Sequence, residues 1–439
     1  MMDAKREFFP DGTVIDPWFD DVSVPGLEEL GKPYVLTDYG VQPDGTLQTE
    51  AIQSLIDRCH EEGGGVIVVP AGVFMTGALF FRPGVNLYLH EGGMLKGSDD
   101  IADYPIRMTR VEGLWKKYFT ALINADGCDG FTITGHGVID GNGSRAWKAF
   151  WLRREWKPDC TNLEEPRAKL IYISNSKDVT VAGVSLLNAM FWSNHIYKCS
   201  RVRYLNCRIE TPLMPVPAPS TDALDIDACT DVHVKNCYVS VNDDGIVIKG
   251  GKGPWADTLP ENGISERVLI EDVTFGFCHA CFTCGSECVD VKNVLLRRCK
   301  AETAFSFFRL KLRPDTPQHY AYITVEDCDT AVVNFININP WTQFFDLQDR
   351  KDIPMSYADH MTFRNCRVEG IRLFNVKSCP DQYELSDFVF DRISGKAEDN
   401  EIPAFADAFL KKEQVDVKKI ACCSRIRDTK AFQNLPPMM

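Results

Sequence analysis

The sequence lacks three features: a long apolar run, an excess of basic residues and an apolar stretch of signal-peptide length at its start. No run of about 18 apolar residues occurs, so we expect no membrane-spanning helix. Basic residues are in deficit, with 48 Lys and Arg against 62 Asp and Glu and a net charge of −14, which argues against binding to nucleic acid or anionic lipid. The opening MMDAKREFFPDG is charged and has no apolar stretch of signal-peptide length. We therefore expect a cytoplasmic protein, or a secreted or periplasmic one if a signal peptide has been removed.

What is present is the composition of a globular protein, at 44% hydrophobic and 25% charged residues. The 17 cysteines are an odd number spread through 439 residues. A long chain with scattered cysteines favours reduced, buried thiols that pack as small apolar residues. The sequence predicts no oligomeric state.

One short pattern of alternating apolar residues recurs along the chain. The copies read DVTVAGV, RVRYLNC, DVHVKNC, RVLIEDV, NVLLRRC, YITVEDC, HMTFRNC and DFVFDRI. Such alternation is typical of strands, and the shortest interval, 23 residues between Val184 and Cys207, suits one solenoid coil of two or three strands. The sequence thus predicts an all-β parallel β-helix. A β-sandwich is the alternative, and a propeller would need blades of about 40 to 50 residues.

The ends of a solenoid expose sheet edges that need covering. The segment TEAIQSLIDRCHE, from Thr49 to Glu61, has the pattern of an amphipathic helix and is predicted to cap the N-terminal edge. AFADAFLKKEQ is a candidate cap for the other edge. We therefore predict an irregular segment over residues 1–35, a β-helix domain over 36–400 and a C-terminal cap or tail over 401–439.

Three aspartates lie at equivalent points of successive coils. Asp222 lies in STDALDID, and Asp243 and Asp244 lie in NDDGIVIKGG, so aligning the apolar alternation separates Asp222 from Asp244 by 22 residues. Because neighbouring strands lie about 4.8 Å apart, the three carboxylates are predicted to cluster on one exterior strip. A pair of carboxylates is what glycoside hydrolysis requires. The alternative is turn chemistry, since Asp is common at strand starts.

Basic and imidazole side chains follow in the next coils. His279 lies in CHACFTCGSE, and Arg309 and Lys311 lie two apart in FFRLKLRP, so they share one face of a strand. With Lys249 they are predicted to form a basic strip, where an arginine could pair with a carboxylate on a substrate. The alternative is an ordinary solvated strand face.

The ordered series STDALDID, NDDGIVIKGG, CHACFTCGSE and RLK resembles the motifs of glycoside hydrolase family 28, the polygalacturonase family. Those motifs read Asn-Thr-Asp-Gly, Asp-Asp-Cys, Gly-His-Gly and Arg-Ile-Lys. NAMFWSNHIYKCSRV and YGVQPDGTLQTEAIQSLIDRC are similar to further family segments, so the resemblance extends over roughly residues 35 to 395. It implies a right-handed parallel β-helix and inverting hydrolysis of pectic galacturonides. We expect a pectic oligo- or polysaccharide as the partner, and no metal or other cofactor.

The resemblance also implies roles for the acid cluster. Asp243 corresponds to the general acid, and Asp222 and Asp244 correspond to the residues that hold and activate water. His279 is implied to tune and orient the cluster. An acid flanked by two carboxylates is expected to stay protonated to a higher pH, as a proton donor must.

The implied substrate contacts lie in the basic strip. Arg309 and Lys311 are implied to bind the substrate carboxylate on the leaving-group side, and Lys249 lies near them. Trp192, His195, Trp255 and Trp341 are candidates for sugar stacking or for cleft walls, because aromatic faces suit sugar rings, although most tryptophans serve in packing.

The sequence departs from the family at the residues that flank these groups. Ser-Thr-Asp-Ala replaces Asn-Thr-Asp-Gly, Gly245 replaces a cysteine, and Cys278 and Ala280 replace the glycines around the histidine. Galacturonan is the first expected substrate, with rhamnogalacturonan or another decorated pectic chain as the alternative. The segments GGKGPWADTLPENG and 141–165 are candidate cleft walls, and blocking one end of the cleft would favour exo action.

Three other interpretations stay open at this point. The spacing of Cys278, Cys281, Cys284 and Cys288 is that of an iron–sulfur ligand run, although residues three apart on a strand point to opposite faces. A pectate lyase could use the basic residues to abstract a proton and the acids to hold calcium. A non-catalytic carbohydrate-binding solenoid is the third.

Overall fold

The computed structural model describes residues 6–352, 354–429 and 432. Its strands form parallel ladders with the strands of the coils before and after them. Strand β12 pairs with β9 on one side and β15 on the other, and β15 pairs in turn with β18. Ile173 is in register with Ile196, 23 residues later, and Ile196 with Ile226. These stacked isoleucines are fully buried, so each coil places its apolar positions directly over those of the coil before it. The predicted right-handed parallel β-helix is confirmed.

The helices are α1 (Thr49–Glu61), α2 (Ser144–Trp156) and α3 (Ser424–Arg427). The strands as far as the aspartates are β1 (Pro33–Val35), β2 (Gly65–Val69), β3 (Gly72–Thr76), β4 (Leu79–Phe81), β5 (Val85–Leu89), β6 (Gly93–Gly97), β7 (Ile106–Val111), β8 (Leu114–Phe119), β9 (Ile123–Asp126), β10 (Thr132–Gly135), β11 (Val138–Asp140), β12 (Ile171–Ser174), β13 (Lys177–Ala182), β14 (Ser185–Leu187), β15 (Asn194–Tyr197), β16 (Ser200–Leu205), β17 (Arg208–Glu210), β18 (Leu224–Asp227), β19 (Thr230–Lys235) and β20 (Tyr238–Ser240). The remaining strands are β21 (Ile246–Lys249), β22 (Ile264–Glu271), β23 (Thr274–Phe275), β24 (Ala280–Cys284), β25 (Asp290–Arg297), β26 (Lys300–Leu312), β27 (His319–Glu326), β28 (Asp329–Pro340), β29 (Ser356–Val376), β30 (Tyr383–Asp399) and β31 (Leu410–Lys419).

The chain divides into two compact units, each made of β-helix coils. Unit 1 consists of the described residues of Met1–Ser23, Thr230–Lys235 and Ile248–Met439. Unit 2 consists of Val24–Cys229 and Asn236–Val247. In unit 1 the parallel ladder runs from β22 through β25, β27, β29 and β30 to β31. In unit 2 the coils have three short strands each, within the range that the shortest repeat interval predicted.

Asparagines and cysteines form the corners of the coils. Asn206 and Asn236 both adopt left-handed backbone, with φ of 54° and 53°, a conformation that asparagine tolerates well. Their side chains bond across adjacent coils at 2.6 Å. The cysteine after each of them points inward, and the Cys207 thiol donates to the Val181 carbonyl at 3.3 Å. Fifteen of the 17 cysteines are buried, which agrees with the predicted packing role.

Helix α1 is amphipathic and covers the first strands. Ile52, Leu55, Ile56 and Cys59 are its buried residues, and their spacing of three and four places them on one face of a helix. That face packs against β2 to β5. The predicted N-terminal capping helix is therefore present with the predicted bounds.

The two ends of the chain carry less regular structure. Phe9, Trp18 and Phe19 pack with Leu269 and Leu295 of unit 1. Within the predicted C-terminal cap or tail, β31 pairs in parallel with β30 and so adds a strand to the ladder. The division at residues 35 and 400 stays a prediction, and residues 1–5, 430, 431 and 433–439 of its outer segments lie outside the described residues.

One feature of unit 2 departs from the parallel coils. Strands β7 and β8 form an antiparallel hairpin, with Ile106 opposite Phe119.

In the part of the chain that the structure describes, no helix has the length and apolar character needed to cross a membrane.

Candidate active site

The three predicted aspartates converge in unit 2. Asp222 lies in the loop before β18, and Asp243 and Asp244 lie in the loop before β21. One oxygen atom of each carboxylate lies within 4.8 Å of the others. Among the described residues, these three are the one group of His, Cys, Asp or Glu side chains close enough to share a metal ion.

Backbone hydrogen bonds between the two loops bring the carboxylates together. The Ala223 N–H donates to the Asp244 carbonyl at 3.0 Å, and the Leu224 N–H donates to Gly245 at 3.1 Å. On the other side, the Ser193 N–H donates to the Asp222 carbonyl at 2.8 Å. The parallel ladder therefore continues past the strands into the loops and fixes the separation of Asp222 from Asp244.

A threonine hydroxyl ties the same two loops a second time. Thr211 Oγ1 lies 2.8 Å from Thr221 Oγ1, beside Asp222. The same Thr211 hydroxyl accepts the Asn242 N–H at 3.2 Å, beside Asp243. One side chain thus contacts the neighbour of an aspartate in each loop.

The three carboxylates differ in exposure. Asp222 is 5% exposed and Asp244 is fully buried, whereas Asp243 is half-buried, and its Oδ1 accepts the Asp244 N–H at 3.0 Å. Carboxyl groups in such different surroundings can divide the roles of proton donor and water activator. The same set of oxygen ligands would also suit a divalent cation such as calcium.

A buried network of charged side chains surrounds Asp227 of strand β18, five residues after Asp222. Leu224 and Ile226 face the core, so Asp227 projects from the outer side of the strand. There the Arg110 Nε of the β7–β8 hairpin bonds the Asp227 carboxylate at 3.0 Å, and His195 Nε2 lies 3.2 Å from it. The Lys169 Nζ lies 2.8 Å from His195 Nδ1.

Burial sets the protonation of this network. Burial, together with the positive charge of Lys169, lowers the pKa of His195 to about 3, so the imidazole is neutral. Burial also lowers the pKa of Lys169 to about 7. Burial alone would raise the pKa of Asp227, but the Arg110 charge and the His195 hydrogen bond outweigh it and lower that pKa to about 2. The carboxylate therefore stays ionised in the interior.

Two predicted sugar contacts lie inside the protein. His195 is fully buried in the network just described, and Trp192 is 4% exposed. The Trp192 ring stacks on Phe191 at 5.2 Å with an 8° interplanar angle. The structure thus corrects the expectation that sugar rings stack on these side chains: their faces are covered by protein, because the hairpin and the 141–168 segment lie over this side of the coils.

Lys249 is also engaged by the protein. Its Nζ bonds the Glu287 carboxylate at 2.9 Å, and its side chain is 4% exposed. Burial would raise the pKa of Glu287, but Lys249 and the other nearby cations hold it well below its usual range. A substrate carboxylate would have to compete with this buried partner, so Lys249 is the weakest of the predicted basic contacts.

Arg309 and Lys311 share one face of β26 in unit 1, as their spacing predicts. Both cations lie over the same ring, with the Arg309 guanidinium 5.0 Å and the Lys311 ammonium 4.7 Å from the Trp341 centroid. Arg309 is half-buried and Lys311 is 8% exposed. Because both cations lie over the same aromatic ring, their positive charges are close together.

His279 lies just before β24. It is half-buried, its ring meets Phe277 edge to face at 6.0 Å, and its carbonyl accepts the Ser306 N–H at 3.0 Å. Cys278, Cys281, Cys284 and Cys288 are buried. Within the described ranges these cysteines do not form a group that could share a metal ion, which disfavours the iron–sulfur interpretation.

The sequence analysis missed Arg110, Lys169 and the hairpin. The apolar alternation of LDID offered one signal, since it places Asp225 and Asp227 on the outer face, where buried carboxylates need a cationic partner. Nothing in the pattern indicated which distant residues would supply it.

Fold and site together define the class as a right-handed parallel β-helix with a cluster of acids in the loops before its strands. Comparison with known proteins gives the family. Residues 104–356 match the family model described as glycosyl hydrolases family 28, and the chain belongs to this family.

Individual relatives agree with this assignment. The chain is 31% identical over 246 residues to a probable polygalacturonase of Vitis vinifera, covering 54% of this chain and 47% of the relative. It is 24% identical over 319 residues to an exopolygalacturonase of Zea mays, covering 69% of each. The chain thus spans about half of the first relative and about two thirds of the second.

The fold is shared with a solved structure, that of a hyperthermoactive exopolygalacturonase from Thermotoga maritima. The two superpose with a TM-score of 0.73 at 21% identity, covering 91% of this chain and 94% of that one.

Proposed function

We propose that the protein is an inverting, exo-acting hydrolase that cleaves galacturonosyl linkages in pectic chains. The observation that carries this proposal is the convergence of Asp222, Asp243 and Asp244 within 4.8 Å of one another in a chain of family 28. Membership of a glycoside hydrolase family favours acid–base hydrolysis over calcium-dependent elimination for the same acids.

Asp243 donates a proton to the oxygen of the leaving sugar. It is the half-buried member of the cluster, so a glycosidic oxygen can reach it. Asp222 and Asp244 are buried and are held at a fixed separation by the bonds between their loops, which suits them to bind one water and take its proton. The resemblance to the family implies a role for His279 in orienting the acids.

The stereochemistry rests on the family rather than on the spacing. Carboxyl groups of most inverting glycosidases lie roughly 6.5–9.5 Å apart, and the closest oxygens here are within 4.8 Å. The anomer that the enzyme first releases therefore tests inversion independently of the identity of the catalytic residues.

Arg309 and Lys311 bind the carboxylate of a galacturonate residue. Their charges lie over one Trp341 ring, so the two cations can meet the same anionic group. A bidentate arginine bond selects a carboxylate over a neutral hydroxymethyl group. An acidic sugar is therefore the proposed substrate, whether in homogalacturonan or in a decorated pectic chain.

Exo action is supported by the insertions of unit 2. A polysaccharide that crosses a β-helix passes over the outer faces of its strands. The β7–β8 hairpin occupies that face at Asp227, five residues after Asp222, where Arg110 fixes it. Helix α2 and the segment that follows it cover Phe191 and Ala189. A cleft obstructed on this side accepts a chain end and not a chain interior.

The cellular compartment stays a prediction and depends on the length of the substrate. Cytoplasmic action on short oligogalacturonides is one form of the proposal, and secreted or periplasmic action on polymer is the other.

The experiment is product analysis on polygalacturonate and on short oligogalacturonides of defined length. The proposal expects one small product from the start, with the opposite anomeric configuration to the bond cleaved, as read by proton NMR within the first turnovers. Early mixed oligomers would reject exo action. A product that absorbs in the ultraviolet and is lost on chelation would reject hydrolysis in favour of elimination.

A further inference from the structure

The loop that carries Asp222 is held from outside by an inserted segment, residues 141–168. Trp151 of α2 donates its Nε1–H to the Pro217 carbonyl at 2.7 Å. Arg167, at the end of the same insertion, donates from Nη1 to the Pro219 carbonyl and from Nη2 to Ser220 Oγ at 3.3 Å. The insertion thus contacts the loop two, three and five residues before the aspartate.

Both terminal nitrogens of the Arg167 guanidinium are hydrogen-bonded. The guanidinium is fully buried and lies between two aromatic rings, 4.3 Å from the centroid of Phe150 and 4.7 Å from that of Phe191. Its Nη2 also donates to the Asn162 carbonyl at 2.8 Å. A planar fork can hold several acceptors at once, whereas a lysine offers one flexible point charge.

The loop needs such support because its backbone is in an uncommon conformation. Ser220 has a φ of 55°, in the left-handed region that a non-glycine residue adopts only when its surroundings impose it. Arg167 contacts both Ser220 and the residue before it. Removing those contacts would free the loop to relax and move Asp222.

The charge of Arg167 also acts on the acid cluster. Burial lowers the pKa of Arg167 to about 10, while Tyr118, Glu112 and Asp243 oppose that shift, so the side chain is a cation at neutral pH. Asp243 is among the groups whose charge acts on Arg167, so the two side chains are coupled electrostatically within unit 2.

We infer that Arg167, assisted by Trp151, is a positioning residue that holds Asp222 in register with Asp243 and Asp244. It is fully buried and acts through the Pro219 carbonyl and the Ser220 hydroxyl. The inference rests on the proposed function and assigns a catalytic purpose to the 141–168 insertion beyond its place at the cleft.

The test compares matched pairs of variants on an oligogalacturonide. Trp151→Phe removes the Nε1–H bond to the loop and part of the ring, and its control Trp147→Phe makes the same change at the Nε1–H bond to the Ala189 carbonyl, at 3.0 Å. Arg167→Lys keeps the charge and loses the fork. Arg167→Met removes both, and its control is Arg153→Met, which removes an arginine that bonds Glu165 of the same insertion at 2.5 Å.

We expect kcat to fall about tenfold in Trp151→Phe and Arg167→Lys and about a hundredfold in Arg167→Met, because a misplacement of about 1 Å costs up to that much. KM should stay within threefold, and both controls should keep the kcat of the parent. If Arg167 and Trp151 had only a structural role, their variants would lower the melting temperature without a selective fall in kcat. Parental kcat in both Trp151→Phe and Arg167→Lys would overturn the inference.

A crystal structure of Arg167→Lys gives a second readout that needs no activity. Displacement of the Asp222 carboxylate from Asp244, relative to the parent, is expected, and an unmoved carboxylate would overturn the inference. If the parent enzyme hydrolyses no galacturonide, the proposed function fails, and this displacement still decides whether Arg167 positions the loop.

Discussion

Ala223 donates its backbone N–H to the carbonyl of Asp244, 3.0 Å away, although 21 residues separate them in the chain. That one bond places Asp222, the neighbour of Ala223, beside Asp244 and so builds a carboxylate cluster from two coils.

Replacing Asp243 by asparagine should reduce hydrolysis of oligogalacturonides by about 10²–10⁴-fold, because the variant cannot donate a proton to the leaving oxygen. The rate of reducing-end release measures this. Asp178→Asn is the control, since Asp178 is an exposed aspartate of unit 2 that pairs with Arg201, and it should keep the parental rate. A parental rate in Asp243→Asn would contradict the assigned acid.

Replacing Arg309 by methionine should raise KM for oligogalacturonides roughly ten- to hundredfold, because a hydrogen bond between charged groups contributes about 1.5–3 kcal/mol. The same variant should discriminate less between galacturonides and their methyl esters. Lys300→Met removes an exposed cation from the same strand and should leave KM unchanged. An unchanged KM in Arg309→Met would show that the substrate carboxylate binds elsewhere.

Replacing Arg110 by methionine should lower the free energy of unfolding by about 3–5 kcal/mol, because Asp227 then keeps a buried charge without its main cationic partner. Chemical denaturation with urea measures the change. Arg107→Met, on the same hairpin strand but exposed and lying over Phe80, should cost far less. The double variant Arg110→Met with Asp227→Leu should recover much of the loss, and equal losses in single and double variants would contradict the ion pair.

Replacing His195 by glutamine should flatten the acid side of the stability profile. Burial lowers the pKa of folded His195 to about 3, and an unfolded histidine titrates near pH 6.5. Between these values the unfolded chain binds a proton that the folded protein does not, so the free energy of unfolding falls as pH falls, by at most about 1.4 kcal/mol per pH unit. Tyr172→Phe, which alters a ring 5.1 Å from His195, should keep the parental slope. An unaltered slope in His195→Gln would mean that the folded imidazole protonates as readily as the unfolded one.

Some of the site could be read from spacing alone. Asp222 and Asp244 occupy equivalent places in coils whose apolar residues repeat, so the ladder had to bring them together once the repeat was recognised. Arg309 and Lys311 share a face because two residues apart is one strand period. Trp192 and His195 followed the same outward pattern, but the hairpin and the 141–168 segment cover them, and no periodicity reports which face an insertion covers.

The sequence by itself determined the coil, because its repeating apolar residues, such as Ile173, Ile196 and Ile226, are buried when they stack in register. It also determined which acids meet. Only the tertiary structure decided that Arg110 and Lys169 bring positive charge to Asp227 on the outer side of β18. The same holds for the bond of Lys249 to Glu287 and for the support that Arg167 gives to the Asp222 loop. These contacts join residues with no common repeat, and their partners are chosen by where an inserted segment comes to rest on the surface of the coils.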